Sequence, residues 1–341
     1  MRYRDAGVDI TRADAIKRAL GEAARTTWGA GVRRIPGGFA GVTAWPGGGG
    51  LLLAATMDGV GTKLHLALAA GRVADAAADL VYHCANDLLV HGARPLAFLD
   101  YVAQARLDPE VVQAAVAGMS HACREVGASL LGGETAEMPD TYVADAVDVA
   151  GCMLGVVDER HLMDGSRVTA GDRLLGLGSA GLHTNGFSLA RRVLAQSGLA
   201  LDDRLPDGAG ERVGAALLAP HRWYGPALWP AIEQARVHAL AHVTGGGIAG
   251  NLTRVLPEGR RARVRAAAWT LPPVFRWLIE AGRVPEDDAR ETLNLGIGMV
   301  VVCAPQDSDA LARDLQGAGE TVVSLGEVVA GERGVEWVEV G

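Results

Sequence analysis

The chain has 341 residues, 49% of them apolar, and a formal charge of −8 at pH 7 from 40 acidic and 32 basic side chains. Such an apolar fraction with nearly balanced charge excludes disorder, and a net acidic chain without a basic block argues against nucleic-acid binding. The length suggests two domains of roughly 150 residues each, and no apolar run approaches the ~20 residues of a membrane helix.

The start, Met1-Arg-Tyr-Arg-Asp5, has no apolar signal core, so a cytoplasmic location with no membrane partner is expected. Four cysteines, Cys84, Cys123, Cys152 and Cys303, are widely spaced without a C-x-x-C pair and read as reduced, buried residues. His83-Cys84 and the His121 and Cys123 pair lack zinc-site spacing.

Along the chain, the low-complexity run Gly47 to Gly50 predicts a loop and Leu51 to Thr56 a strand. Helices are expected near Thr62 to Ala70 and from Ala74 to about Val90, then a strand from Leu96 to Ala105. Asp108-Pro109-Glu110 opens a helix with an N-cap, a first-turn proline and a first-turn acid, and Gly127 stops it. Strands at Ser129 to Leu131 and Val147 to Val157 complete the first half.

A polar stretch from Asp158 to Asp172 divides the chain into expected domains 1–165 and 166–341. The second half begins with a strand from Arg173 to Leu177 and a helix from about Phe187 to Gln196, capped by Thr184 or Asn185. A strand from Val237 to Val243 leads into a helix that ends at Val255, before Pro257. Helices near Pro273 to Ala281 and Pro285 to Thr292, a strand from Ile297 to Cys303, one more helix and strand, and a tail strand from Val335 to Val340 follow. Strands and helices mix in both halves without strict βαβ alternation, which predicts an α/β (α+β) protein of two similar domains.

Five strings carry candidate chemistry. Met57-Asp58-Gly59-Val60-Gly61-Thr62-Lys63-Leu64 follows a strand and opens a helix. Gly59, Gly61 and Thr62 let backbone N–H groups approach a phosphate, Lys63 is placed to pair with it, and Asp58 to hold Mg²⁺. It is not a P-loop, because Thr62 and Leu64 flank the lysine. Asn86-Asp87 lies among Leu80, Val81, Cys84, Leu88 and Leu89, where an inward carboxylate needs a partner or a metal; a solvated helix face is the alternative. Leu131-Gly132-Gly133-Glu134-Thr135-Ala136-Glu137 reads as a strand end and a loop, with Glu134 available to a metal.

Gly176-x-Gly178-x-x-Gly181 follows a strand, with Asp202 about 20 residues on, so a dinucleotide site of an oxidoreductase is an alternative reading. Just beyond it, His183 is placed for acid–base work near neutral pH or for phosphate contact. His242-Val243-Thr244-Gly245-Gly246-Gly247 repeats the strand, glycine, helix pattern and forms a second anion cradle. Together these strings point to a polyphosphate ligand with Mg²⁺.

These strings, with Tyr3-Arg-Asp-Ala-Gly-Val-Asp-Ile10, Phe98-Leu-Asp-Tyr101 and His183-Thr-Asn-Gly186, occur in an order that closely resembles the phosphoribosylformylglycinamidine cyclo-ligase (aminoimidazole ribonucleotide synthetase) family. The resemblance runs nearly end to end. It implies ATP-dependent ring closure of formylglycinamidine ribonucleotide to 5-aminoimidazole ribonucleotide, with release of ADP and phosphate, in purine biosynthesis. It further implies a homodimer whose N-terminal ATP-binding domains pair to form a β-barrel, and a C-terminal sheet covered by helices. By the same resemblance, Asp58, Asp87 and Glu134 are metal and phosphate-side acids, and His183, Asp87 and Lys63 serve the chemistry. Asn185, Thr244, Gly245, Gly246 and Gly247 line the phosphate side. The chain departs from the family at Gly21, where an N-terminal lysine is usual, and at His91, Arg94, Ala180, Leu182 and Leu295. Related enzymes with other activities are set apart by their own marks: no cysteine precedes Cys84, and the chain given closes on Glu339-Val340-Gly341 rather than on a cysteine.

Overall fold

The computed structural model describes residue 16 and residues 20–339. The string from Tyr3 to Ile10 therefore lies outside the described residues. The first half contains, in chain order, β1 (Val32–Arg33), β2 (Gly41–Ala44), β3 (Leu51–Gly59), α1 (Lys63–Ala69), α2 (Val73–Val90), β4 (Arg94–Gln104), α3 (Pro109–Val126), β5 (Ser129–Glu137) and β6 (Val147–Asp158). Its strands form one sheet in the order β1-β2-β3-β6-β4-β5. Only β4 and β5 run parallel in it, and α3 is the crossover that makes this possible.

The second half contains β7 (Arg173–Gly178), α4 (Phe187–Ser197), α5 (Val213–Leu217), α6 (Gly225–Glu233), β8 (Val237–His242), α7 (Gly247–Val255) and β9 (Arg260–Arg265). It continues with α8 (Pro273–Gly282), α9 (Glu286–Thr292), β10 (Ile297–Cys303), α10 (Pro305–Gly317), β11 (Val322–Ala330) and β12 (Gly334–Val338). The second sheet has the order β12-β9-β11-β7-β10-β8. β10 lies between β7 and β8 and is buried at every residue, as its unbroken apolar run requires.

Local chemistry explains the element ends. The Asp108 carboxylate accepts from the N–H groups of Glu110 and Val111, Pro109 occupies the first turn, and Gly127 closes α3 in the left-handed region. β6 alternates buried and half-buried residues along its whole length, so one face of the first sheet packs inward and the other does not. Leu52, Ala54, Met153 and Phe98 fill the inward face against α2.

α2 is buried almost all round, from Ala76 through Val90. A helix of that kind belongs between layers. It contacts β3 and β6 of the first sheet, α3 beside it, and β8 and α6 of the second half. Leu89 and Val90 at its end join the core of the second sheet. Each fully buried leucine there contributes roughly 1.5–3 kcal/mol of transfer free energy. Arg254 at the end of α7 grips the first half from the other side: its guanidinium donates to the carbonyls of Gly37 and Gly38 and lies over the Phe39 ring.

Several sequence expectations change. β5 continues through Glu137, so Gly132 to Glu137 is strand and not loop; pairing with β4 holds it extended despite its glycines. α4 is capped by Gly186 in a left-handed conformation, not by Thr184 or Asn185. The strands β1, β2 and β9 and the helices α5 and α6 had no sequence signal strong enough to place them. Gly176 sits inside β7, where a Cβ would run into the Leu325 side chain, and β7 pairs antiparallel with both neighbours. The helix after it begins only at Phe187, so Gly176 to Gly181 is a packing feature and not the parallel βαβ turn of a dinucleotide site.

Candidate active site at the seam of the two sheets

The site assembles around α2. Asp79, His83 and Asp87 are spaced by four residues and therefore share one face of that helix. All three side chains are buried. Asp58 reaches the same place from the inward face of β3, with its carboxylate 2.7 Å from His83 Nε2. The second half brings His183 and Thr184 from the β7–α4 loop, His221 from the α5–α6 loop and His242 from the end of β8.

Proton bookkeeping fixes the direction of these hydrogen bonds. His242 Nδ1 lies 2.8 Å from Asp87 Oδ1, so it carries the proton and donates. Burial outweighs the pull of Asp87 and holds the His242 pKa below its ordinary 6.5, so the ring is neutral and its Nε2 accepts. The donor is His221 Nε2, 3.1 Å away. Burial, reinforced by the neighbouring His183 and His242, pushes His221 well below 6.5, so its Nδ1 accepts from the Thr184 hydroxyl at 2.8 Å. Thr184 in turn accepts from His83 Nδ1 at 3.3 Å. His83 must then donate from both nitrogens and carry a charge. Burial opposes this, but Asp58 and Asp87 outweigh it and raise its pKa to about 9. For Asp58, burial is likewise outweighed, by His83 and the Gly59 N–H, and its carboxyl sits below the usual range. Every donor in the chain from Asp58 to Asp87 thus meets one acceptor.

His183 stands beside this chain. Its ring stacks on His221 with centroids 4.1 Å apart and planes 19° apart. Its Nε2 accepts from the Ala180 N–H at 3.3 Å, which places the proton on Nδ1. That Nδ1 is buried without a partner among the described residues. Burial, reinforced by His242, Lys63, His83 and Arg222, pushes the His183 pKa well below 6.5. The expectation of a histidine titrating near neutrality is therefore corrected: His183 is a neutral ring offering an N–H.

Lys63 is also corrected. It is 1% exposed, its Nζ forms an ion pair with Asp79, and it donates to the His183 carbonyl at 2.8 Å. Its ammonium is committed to these two protein partners. Glu134 does not join Asp58 and Asp87. The ladder row Gly59, Ala150, Tyr101, Glu134 crosses three strand spacings, roughly 14 Å. It also puts Glu134 on the outward face, opposite Asp58.

The glycine strings converge near this seam. Thr62 at the start of α1 lies 3.1 Å from Ser188 at the start of α4 through their hydroxyls. Gly245 abuts Asn185, Gly246 is the left-handed N-cap of α7, and α4 and α7 have no side-chain cap. Gly61 and Gly245 are exposed. Thr244 and the carbonyls of Gly245 and Gly247 are held by Asn251 from within α7. Gly247 has a positive φ, and a Cβ there would collide with the Arg290 carbonyl, so no other residue fits. Open helix N-termini beside two carboxylates suit a phosphate chain and its metal.

His221 and Asp79 carry much of this site and were not singled out from the sequence, and Thr184 was read there only as a helix cap. The four-residue spacing of Asp79, His83 and Asp87 was the available signal; for His221 there was none.

Comparison with known proteins shows the family. The family description "AIR synthase related protein, N-terminal domain" matches residues 37–157, and its C-terminal counterpart matches residues 169–339. A phosphoribosylformylglycinamidine cyclo-ligase of Citrifermentans bemidjiense is 42% identical over 340 residues, covering 99% of this chain and 97% of that protein. One from Sorangium cellulosum is 45% identical over 332 residues, covering 96% and 95%. Among solved structures, thiamine-monophosphate kinase of Stenotrophomonas maltophilia has a TM-score of 0.65 at 19% identity over 92% of this chain and 93% of its own. The hydrogenase maturation protein HypE of E. coli has a TM-score of 0.60 at 20% identity over 84% and 82%; these two share the fold. With near-complete coverage at such identity, the chain belongs to the phosphoribosylformylglycinamidine cyclo-ligase family.

Proposed function

We propose that this site closes the imidazole ring of 5-aminoimidazole ribonucleotide from formylglycinamidine ribonucleotide, consuming ATP and releasing ADP and phosphate. The observation that carries the reading is the link from Asp87 to His242, just before the uncapped glycine start of α7, beside a neutral His183 whose Nδ1–H has no partner among the described residues. The substrate's formyl oxygen attacks the terminal phosphorus of ATP, and the O–P bond to ADP breaks. The amidine nitrogen then attacks the activated formyl carbon, and the C–O bond breaks to release phosphate while the nitrogen loses a proton.

Positioning and charge neutralisation dominate such a reaction. The turns before α1, α4 and α7, with Gly61, Thr62, Asn185, Thr244 and Gly245, receive phosphate oxygens, whereas the N–H groups of Gly59, Gly246 and Gly247 are taken by Asp58, Glu291 and Thr244. Asp58 and Asp87 suit Mg²⁺, because their carboxylate oxygens lie within 4.8 Å of one another, and an ion there would take over the neutralisation that the charged His83 supplies. When bound, the ion neutralises phosphate oxygens. His183 donates its Nδ1–H to oxygen that gains negative charge, and being neutral it does so without drawing a proton from solvent.

The outward face of the first sheet supports a homodimer. Leu51, Met57 and Leu99 are exposed there, and Leu53, Leu154 and Val156 are half-buried on the same face. A second copy covers such a patch and brings Glu134 to the interface. The test of the reading is His183→Ala. Its turnover number is expected to fall at least about a hundredfold with little change in the ATP Michaelis constant; a raised constant with unchanged turnover would contradict the role.

A further inference from the structure

Lys63 and Asp79 form a buried ion pair that the reaction as described does not use. Both side chains are 1% exposed. Burial lifts the Asp79 carboxyl above the usual range, and the Lys63 ammonium opposes this. The pair lies entirely in the first half, on α1 and α2, yet each partner's remaining hydrogen bond crosses the seam. Asp79 Oδ1 accepts from the His221 backbone N–H at 2.7 Å. Lys63 Nζ donates to the His183 backbone carbonyl at 2.8 Å. The His183 and His221 rings then stack on one another.

The contacts close into a circuit: Lys63 to Asp79, Asp79 to the His221 backbone, the His221 ring to the His183 ring, and the His183 backbone back to Lys63. His183 needs such a frame. It has φ 61°, a left-handed conformation that a non-glycine residue holds only when its surroundings impose it. Its Nδ1 direction follows from that backbone and from the stacked ring. The Lys63 ammonium also lies 5.1 Å from the Phe187 ring centroid, at the first residue of α4, so the start of that helix is tied to the same point.

We propose that the Lys63–Asp79 pair is a positioning device for His183: it clamps the backbones of the His183 and His221 loops from across the seam and so sets where the His183 Nδ1–H points. The inference rests on the role given above to His183. Lys63 and Asp79 themselves touch no reacting atom. A pair kept only for stability is replaceable by uncharged side chains of similar size at little cost, whereas a positioning pair is not, because a displacement near 1 Å costs turnover about a hundredfold.

The test uses the full chain and the double variant Lys63→Met/Asp79→Asn, which removes both charges and keeps an acceptor for the His221 N–H. Its turnover number is expected to fall about tenfold to a hundredfold, with an ATP Michaelis constant close to that of the parent and a melting temperature within a few degrees. With ¹⁵N-labelled histidine, the His183 ring resonances are expected to shift or broaden. Unchanged turnover together with unchanged His183 resonances would overturn the proposal, whatever the melting temperature does. Should the double variant not fold, Asp79→Asn alone is read in the same two ways. If His183→Ala leaves turnover intact, the catalytic reading of His183 fails by itself, and the His183 resonances in the double variant still decide whether the pair holds that ring.

Discussion

A histidine on a loop ordinarily titrates near neutrality, and His183 and His221 do not, because both are buried, with His242, His83 and Lys63 close by. The Asp79 carboxylate meets the His221 backbone N–H and not the ring, and its other oxygen pairs with Lys63. The sign of the consequence follows from linkage. Both rings protonate near 6.5 in the unfolded chain and well below that when folded. Their contribution to stability is therefore full above pH 6.5 and is lost as pH falls below it. His242 acts in the same direction and His83, with its raised pKa, in the opposite one, so urea denaturation at about pH 5.5 is expected to give a stability lower than at about pH 7.5 by on the order of 1–2 kcal/mol, and His221→Asn is expected to flatten that slope. A profile flat over this range would contradict the neutral assignment. At the carboxylates, Asp58→Asn and Asp87→Asn should each lower turnover at least about a hundredfold while the circular dichroism spectrum stays that of the parent; near-parental rates in either would remove them from the site. Asp58, Asp87 and His183 were legible because each stands in a string of unusual residues. Lys63 was legible as important but not in its partner, since Asp79 lies on the next helix and only the packing of α2 on α1 reveals the pair.

Elements with a local cause were the readable ones. Asp108-Pro109-Glu110 and Gly127 bound α3 because capping chemistry is contained in a few neighbouring residues. Asp108→Ala should cost about 1 kcal/mol in denaturant unfolding, and no loss would mean the cap is redundant. β5 was misread beyond Leu131 because glycines disfavour strands locally, whereas the ladder with β4 that imposes one is formed by residues 33 positions away in sequence. Short elements such as β1 and α5 have too few residues for a periodic signal. Gly247 shows the opposite case, in which a glycine read as an anion cradle is also required by packing against α9. Gly247→Ala should destabilise by about 3 kcal/mol through the collision with Arg290 and the strained φ, seen as a lowered urea midpoint; an unchanged midpoint would show that α9 can move aside.

The whole molecule is two sheets with a buried helix between them, and the site exists only because α2 meets loops of the second half. That arrangement was legible as two α/β halves, but the seam was not, since no short-range pattern reports which faces of the halves meet. The uncovered face of the first sheet belongs to the same scale. Met57→Asp combined with Leu99→Asp should weaken self-association at least about a hundredfold in sedimentation, through an unpaired charge buried at the interface; an unaltered dimer would place the contact elsewhere. The central claim is the reaction itself, and the direct measurement is ADP formation by the purified chain with Mg²⁺ and ATP, with and without formylglycinamidine ribonucleotide. The account predicts ADP release that depends on that substrate and is matched mole for mole by aminoimidazole product; ATP hydrolysis indifferent to the substrate, with no aminoimidazole formed, would contradict it.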